Sequence, residues 1–160
     1  MEFRKRCLVL FVLVLGLTAT APSSATGQSA QDRLWDASRA GDTLGVAQAL
    51  ADGADVNALD TRSNPNGRRA LNWAAWYDHV PVIEQLLAAG AEIDGVNNTG
   101  FSALHHAAEA GSPDAARVLI AHGADVGLTN FAGRAPVETA WARGHDQLVQ
   151  ILREATKKPE

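Results

Sequence analysis

Three stretches of this chain end alike. "LADGADVNALD" occupies residues 50–60, "LAAGAEIDGVN" 87–97 and "IAHGADVGLTN" 120–130. Gly53-Ala54, Gly90-Ala91 and Gly123-Ala124 fall at the same place in each, at intervals of 37 and 33 residues. Upstream, "LWDASRAGDTLGVAQAL", "RALNWAAWYDHVPVIEQLL", "SALHHAAEAGSPDAARVLI" and "APVETAWARGHDQLVQILR" align without gaps. Ala37, Ala74, Ala107 and Ala140 share one column, and Leu34, Leu71, Leu104 and Val137 another. Self-similarity at such a period is the mark of stacked units, and it limits the chain to a repeat architecture.

Each unit reads as a helix pair. Leu71, Ala74 and Ala75 put small apolar residues on one face of a short first helix. Val82, Ile83, Leu86 and Leu87 make an apolar stripe on a second. Pro81 and Pro113 stand at second-helix starts, where a missing N–H costs nothing. Gly90 and Gly123 are expected to close those helices as C-cap glycines. No single pair can bury both its faces, so the units must stack.

These motifs resemble the ankyrin-repeat family, whose pattern runs G-x-T-P-L-H-x-A-A, then a Gly, then V-x-x-L-L-x-x-G-A-D-x-N. "GFSALHHAAEAGSPDAARVLIAHGADV" follows it closely, and the likeness extends from Leu34 to about Leu152. The resemblance implies an all-α solenoid of about four helix-turn-helix units joined by projecting β-turn or hairpin loops. The units are placed at about 31–60, 61–97, 98–130 and 131–155, within one domain spanning 31–155. The first and last units depart from the pattern as capping units would. The first interval exceeds the second by four residues, and the excess lies within "DTRSNPNG" between Asp60 and Gly67. It is expected to lengthen one finger without disturbing the stack, because loops tolerate additions at little free-energy cost.

The beginning of the chain reads differently. "MEFRKR" is basic, residues 7–17 are apolar, and "TATAPSSATG" is rich in small residues, the three-part pattern of a secretory signal peptide. An apolar run of 11 residues is short of the roughly 20 that a spanning helix needs. Cleavage is expected after residue 25 or 27, which leaves a linker at 26–30; residues 156–160 form a polar tail. Cleavage would remove Cys7, the only cysteine, so packing rather than disulfides must hold an exported fold together. It would take Arg4, Lys5 and Arg6 from 14 basic residues and Glu2 from 18 acidic ones, leaving 11 against 17 and a net charge near −6. Such a domain is not built to follow nucleic acid or an anionic membrane. The expected location is the periplasm or the cell exterior, with no stable membrane insertion after cleavage.

Little in the chain points to a reaction. No G-x-S-x-G, P-loop or dinucleotide fingerprint occurs, and the glycines follow the repeat. His105, His106 and Glu109 are the nearest approach to a metal or hydrolytic site, since His105 and Glu109 share a helix face. The resemblance instead gives His105 a hydrogen-bonding role within the fold. Asp78-His79 and His145-Asp146 sit at the turn between helices, where the resemblance implies Gly-His and turn hydrogen bonding. Asn97-Asn98-Thr99 is a formal glycosylation sequon. No cofactor, metal or catalytic residue is expected.

Proteins of the resembled family usually bind other proteins through the concave side, made of the projecting turns and exposed first-helix positions. Carried over by alignment, that surface comprises Arg39 in the first unit and Pro65, Asn66, Arg68, Trp76 and Tyr77 in the second. Asn98, Thr99, Phe101 and Glu109 continue it in the third, and Phe131, Arg134 and Arg143 in the fourth. Trp, Tyr and Arg are favoured at interface centres. Trp73 is read as packing between helices, and Trp35 and Trp141 as sealing the ends. The expectation is a monomeric, non-catalytic binding module for a protein with an acidic surface. Two other readings stand beside it: an enzyme at His105, His106 and Glu109, and an envelope component anchored by an uncleaved leader.

Overall fold

A computed structural model describes residues 27–157, so the expected leader lies outside the described part. The described residues form eight helices: α1 (Ala30–Ala40), α2 (Thr43–Ala51), α3 (Ala70–Trp76), α4 (Val80–Ala88), α5 (Ala103–Ala110), α6 (Pro113–Ala121), α7 (Pro136–Arg143) and α8 (Asp146–Thr156). They make four consecutive pairs. First helices pack in the row α1–α3–α5–α7, and second helices in the row α2–α4–α6–α8. No described helix is long and apolar enough to cross a membrane.

Residue size explains the stacking. Ala74, Ala107 and Ala140 are fully buried between first helices, where a larger side chain would hold neighbouring backbones apart. Leu86, Leu119 and Leu152, from the matching column of three second helices, are 1% exposed or less. Burying each removes about 1.5–3 kcal/mol of apolar exposure. The column that buries Leu34, Leu71 and Leu104 ends in Val137, which is only half-buried, with no helix pair packed beyond it among the described residues.

Helix ends match their residues. Pro81 lies in the first turn of α4, and Pro113 opens α6. Gly90 and Gly123 follow α4 and α6 at φ 90°, a left-handed conformation that L side chains resist. Each turn between paired helices also touches the next unit. His79 Nε2 lies 3.1 Å from the Arg39 carbonyl, and His145 Nε2 lies 3.2 Å from that of Glu109. Each ring lies over a glycine, and a Cβ on Gly41 or Gly111 would come within 2.8 Å of it. At the seam between the second and third units the ring is replaced by Ser112, whose hydroxyl donates to the Trp76 carbonyl at 3.0 Å. There the left-handed position is Asp78 (φ 60°), not glycine, and its carboxylate accepts the Ala115 N–H at 2.6 Å. A histidine in one unit thus goes with a glycine in the unit before it, and a serine leaves room for an aspartate.

The fingers are closed by backbone pairs. Asn97 N–H donates to the Phe101 carbonyl and Asn130 N–H to that of Arg134, each enclosing a short turn. Asp60 and Arg68 exchange two such bonds around a turn four residues longer, as the spacing predicts. The long finger leans on α1. Arg62 pairs with Asp60 (2.8 Å), Asp36 (2.8 Å) and Asp32 (3.1 Å), and its guanidinium lies 4.9 Å from the Trp35 ring centre. Trp35 seals the first unit as expected, donating from Nε1 to the Ala58 carbonyl. Trp141 does not seal the other end: it is 71% exposed.

Candidate interaction face

Arg68 stands where the long finger enters α3. Its guanidinium lies 4.4 Å from the Trp73 ring centre and 4.1 Å from that of Trp76. Trp73 and Trp76 are three residues apart on one helix, so both rings reach the same side. Arg39 extends the stack from α1, 5.3 Å from Trp73 and 6.0 Å from Tyr77. Tyr77 stacks on Trp73 at 6.3 Å and is 41% exposed. The outcome is an alternating ladder of cations and rings across the first two units.

Trp73 is therefore not merely packing between helices. It is half-buried, donates from Nε1 to Asp60 at 3.3 Å, and forms the centre of the ladder. The alignment column points to an apolar filler, but its spacing from Trp76 and Tyr77 puts it on their face. The Arg68 backbone N–H is spent on the Asp60 carbonyl, but no guanidinium N–H meets a protein acceptor among the described residues. Burial pushes the Arg68 pKa below its ordinary value, and the Glu109 charge opposes that shift.

The two adjacent histidines have different fates. His105 is buried with both nitrogens engaged: Nδ1 lies 2.9 Å from Ser102 Oγ, and Nε2 3.0 Å from the Arg134 carbonyl. It cannot act as a metal ligand or base while so held, which removes the centre of the enzymatic reading. His106 is 3% exposed, and neither ring nitrogen has a partner. Trp76 meets it edge-on at 6.0 Å, and Phe101 lies 5.6 Å away. Burial, with help from Arg68, pushes its pKa down to about 3, so the ring is neutral at physiological pH. Its Nδ1 is 4.0 Å from Glu109 Oε2, too far for a hydrogen bond. Glu109 instead pairs with Arg143 of the next unit. Among the described residues, no three His, Cys, Asp or Glu side chains converge as a metal site would require.

The finger residues are partly spent on one another. Asn98 donates from its backbone N–H to Asn66 and from Nδ2 to the Pro65 carbonyl, which ties the second finger to the third. Asn97 is 5% exposed; its Oδ1 takes N–H groups of Thr99 and Phe101 and the Thr99 hydroxyl, while Nδ2 donates to the Gly67 carbonyl. The sequon asparagine is thus inaccessible in the folded chain. Phe101 is half-buried over His105 and His106. Phe131 is 76% exposed beside Gly100, and Arg134 is exposed. No ring or ion contact among the described residues ties these last two to the Arg68 ladder.

The repeat geometry agrees with the comparisons to known proteins. The family described as "Ankyrin repeats (3 copies)" matches residues 34–130 and again 95–159. The chain belongs to the ankyrin-repeat family. It is 32% identical over 127 residues to ankyrin repeat domain-containing protein SAT10 of Stachybotrys chartarum, covering 79% of this chain and 6% of that protein. It is 34% identical over 92 residues to ankyrin repeat domain-containing protein 13B of Mus musculus, covering 57% of this chain and 15% of the other. With the mouse nuclear factor NF-kappa-B p105 subunit the identity is 37% over 100 residues, or 61% of this chain and 10% of that protein. The chain thus spans only a small part of the length of these relatives.

Proposed function

We propose that this ankyrin-repeat chain is an exported, non-catalytic binding module that takes an acidic protein surface on the face shared by its fingers and first helices. The observation that carries this reading is the Arg68 guanidinium, set against two indoles with its own N–H groups unspent. A guanidinium fixed in this way has already lost the freedom that binding would remove, so less affinity is forfeited on docking. Tyr77 and the edges of Trp73 and Trp76 supply large, stiff contact area around it. Arg39 adds positive charge to the same ring cluster of an acidic chain, which favours encounter with an acidic partner. Export rests on the three-part pattern of the first 25 residues.

The test is affinity capture from the native cell envelope, with Arg68→Met and Tyr77→Ala proteins as controls. Methionine keeps the space between the indoles filled while removing the charge. Both variants should lose the specific partner and keep their melting temperature within a few degrees. Undiminished capture by both would overturn the reading. Sequencing the mature N-terminus from fractionated cells tests export: a start at residue 26 or 28 is expected, and an intact Met1 start would refute it.

A further inference from the structure

Beside the Arg68 ladder, where the second and third fingers meet α5, lies a polar cavity of about 150 Å³. Arg68, His106 and Glu109 line it together with Asn66 and Thr99. We infer that this cavity is a subsite for one carboxylate side chain, a Glu or Asp of the bound protein, received by the Arg68 guanidinium with the His106 N–H as second donor. The inference rests on the protein-binding reading and gives it a chemical centre.

Two groups are left without partners where they should have them. The Arg68 guanidinium lies against the Trp73 and Trp76 rings, 4.4 and 4.1 Å from their centres, and meets no protein acceptor among the described residues. A planar guanidinium presents paired N–H groups that match the two oxygens of a carboxylate. His106 is buried and neither ring nitrogen meets a protein partner, whereas buried polar groups are generally hydrogen-bonded to protein, water or ligand. Its neutral imidazole has one N–H to donate. The same two residues line one cavity.

The local charge selects the ligand. Among the described residues Glu109 is the only acid on the wall, and Arg143 is already paired to it. Arg39 stacks one ring away from Arg68. The balance around the cavity is therefore positive, in a chain whose total is −4. A cationic side chain would meet Arg68 with nothing but an occupied Glu109 to hold it. A neutral amide would leave the arginine charge unmatched. The cavity has room for a carboxylate group, since one water needs only about 10–15 Å³ of such space. Glu109 then acts as a limit on affinity, so removing its charge should tighten binding.

The experiment uses the full chain at constant ionic strength, with the blocked tripeptide acetyl-Gly-Glu-Gly-amide as probe. Its only charge is the side-chain carboxylate. The Trp76 indole N–H and the His106 ring nitrogens are followed by NMR. The glutamate peptide should give a saturable shift of both. The glutamine peptide should bind about tenfold more weakly, the loss expected for a charge-assisted pair. Arg68→Met should abolish saturation, Glu109→Gln should tighten it about threefold, and His106→Phe should weaken it (if that variant does not fold, the other two carry the test). Equal binding of both peptides, weaker binding after Glu109→Gln, or tighter binding of inorganic phosphate than of the glutamate peptide would each overturn the subsite. So would the absence of saturation. Arg68-dependent capture of the partner without any peptide response overturns the subsite alone. A saturating peptide response with capture indifferent to both face variants overturns the protein-binding reading alone.

Discussion

The second and third fingers do the same job with different means. In the third, Asn97 holds a tight turn through its side chain and reaches back to the finger before it. In the second, the equivalent residue is Asp60, which closes the hairpin but then relies on Arg62 to neutralise it and fasten the longer loop to α1. Both fingers close on themselves, but the short one is then fastened to the finger before it through Asn97 and Asn98, and the long one to α1 through Arg62. That difference has a consequence for the binding face. The long finger carries Arg68 to the mouth of α3 with its side chain free to enter the Trp73–Trp76 gap, whereas the short finger ends in Phe101, packed down on two histidines.

The largest loss of stability is expected from Asn97→Ala. It removes an acceptor of several N–H and O–H groups in a buried site, so about 3 kcal/mol of stability should be lost. Urea unfolding measures this, and a loss under about 1 kcal/mol would show that the short finger does not hold itself. A second contrast lies beneath the fingers, between the satisfied His105 and the unpartnered His106. His106 has a pKa near 3 in the fold against about 6.5 in the unfolded chain. Between those values the unfolded state binds the extra proton, so stability falls as pH is lowered. One such group contributes a slope of about 1.4 kcal/mol per pH unit. His106→Phe should flatten the dependence of unfolding free energy on pH between 6 and 4.5 by about that amount. An unchanged slope would mean that the ring is not held neutral.

Repetition made much of this legible in advance. The shared alanine and leucine columns identify helix faces, and the 37-residue interval locates the inserted loop to within a few positions. Contacts that differ between units were harder to see, because an alignment shows what units have in common. Trp73 occupies a column of ordinary packing residues, and only the direction in which Arg68 leaves the finger makes it a stacking partner. Arg62 looks like one more loop cation until the longer turn brings it against α1. His105 and His106 are identical neighbours in the sequence, yet one step of about 100° around the helix turns one toward the fourth finger and leaves the other against Trp76 and Phe101. Trp141 shows the opposite case: a large apolar residue in the last described helix pair suggests a seal, but its side chain is 71% exposed.

Arg62→Ala should have a smaller effect than Asn97→Ala, about 1 kcal/mol, because the arginine side chain is 39% exposed and its pairs are screened. The effect should also depend on acid. Burial pushes the Asp60 pKa up, but hydrogen bonds from Arg62 and Trp73 outweigh it and hold the group below the ordinary aspartate value. A carboxylate depressed in this way stabilises the fold fully above about pH 4 and loses that contribution as pH falls through its folded-state value. The gap between wild type and Arg62→Ala should therefore be full at pH 7 and narrow as pH falls below the ordinary aspartate value, as thermal melts into acid would show. A gap that persists in acid would assign the role of Arg62 to its packing on Trp35 instead.

The smallest stability effect belongs to the residue with the largest expected effect on binding. Arg68→Met removes two cation–π contacts, worth about 0.5–1 kcal/mol each at a partly exposed site. It restores part of that through apolar contact with the indoles and relieves the burial of an unmatched charge. The net change should be a few tenths of a kcal/mol in either direction, below what moves a melting temperature by more than a few degrees. A residue placed for the fold would behave like Asn97. If Arg68→Met instead costs more than about 2 kcal/mol, its N–H groups are not idle in solution, and the long finger is held through Arg68 as the short one is through Asn97.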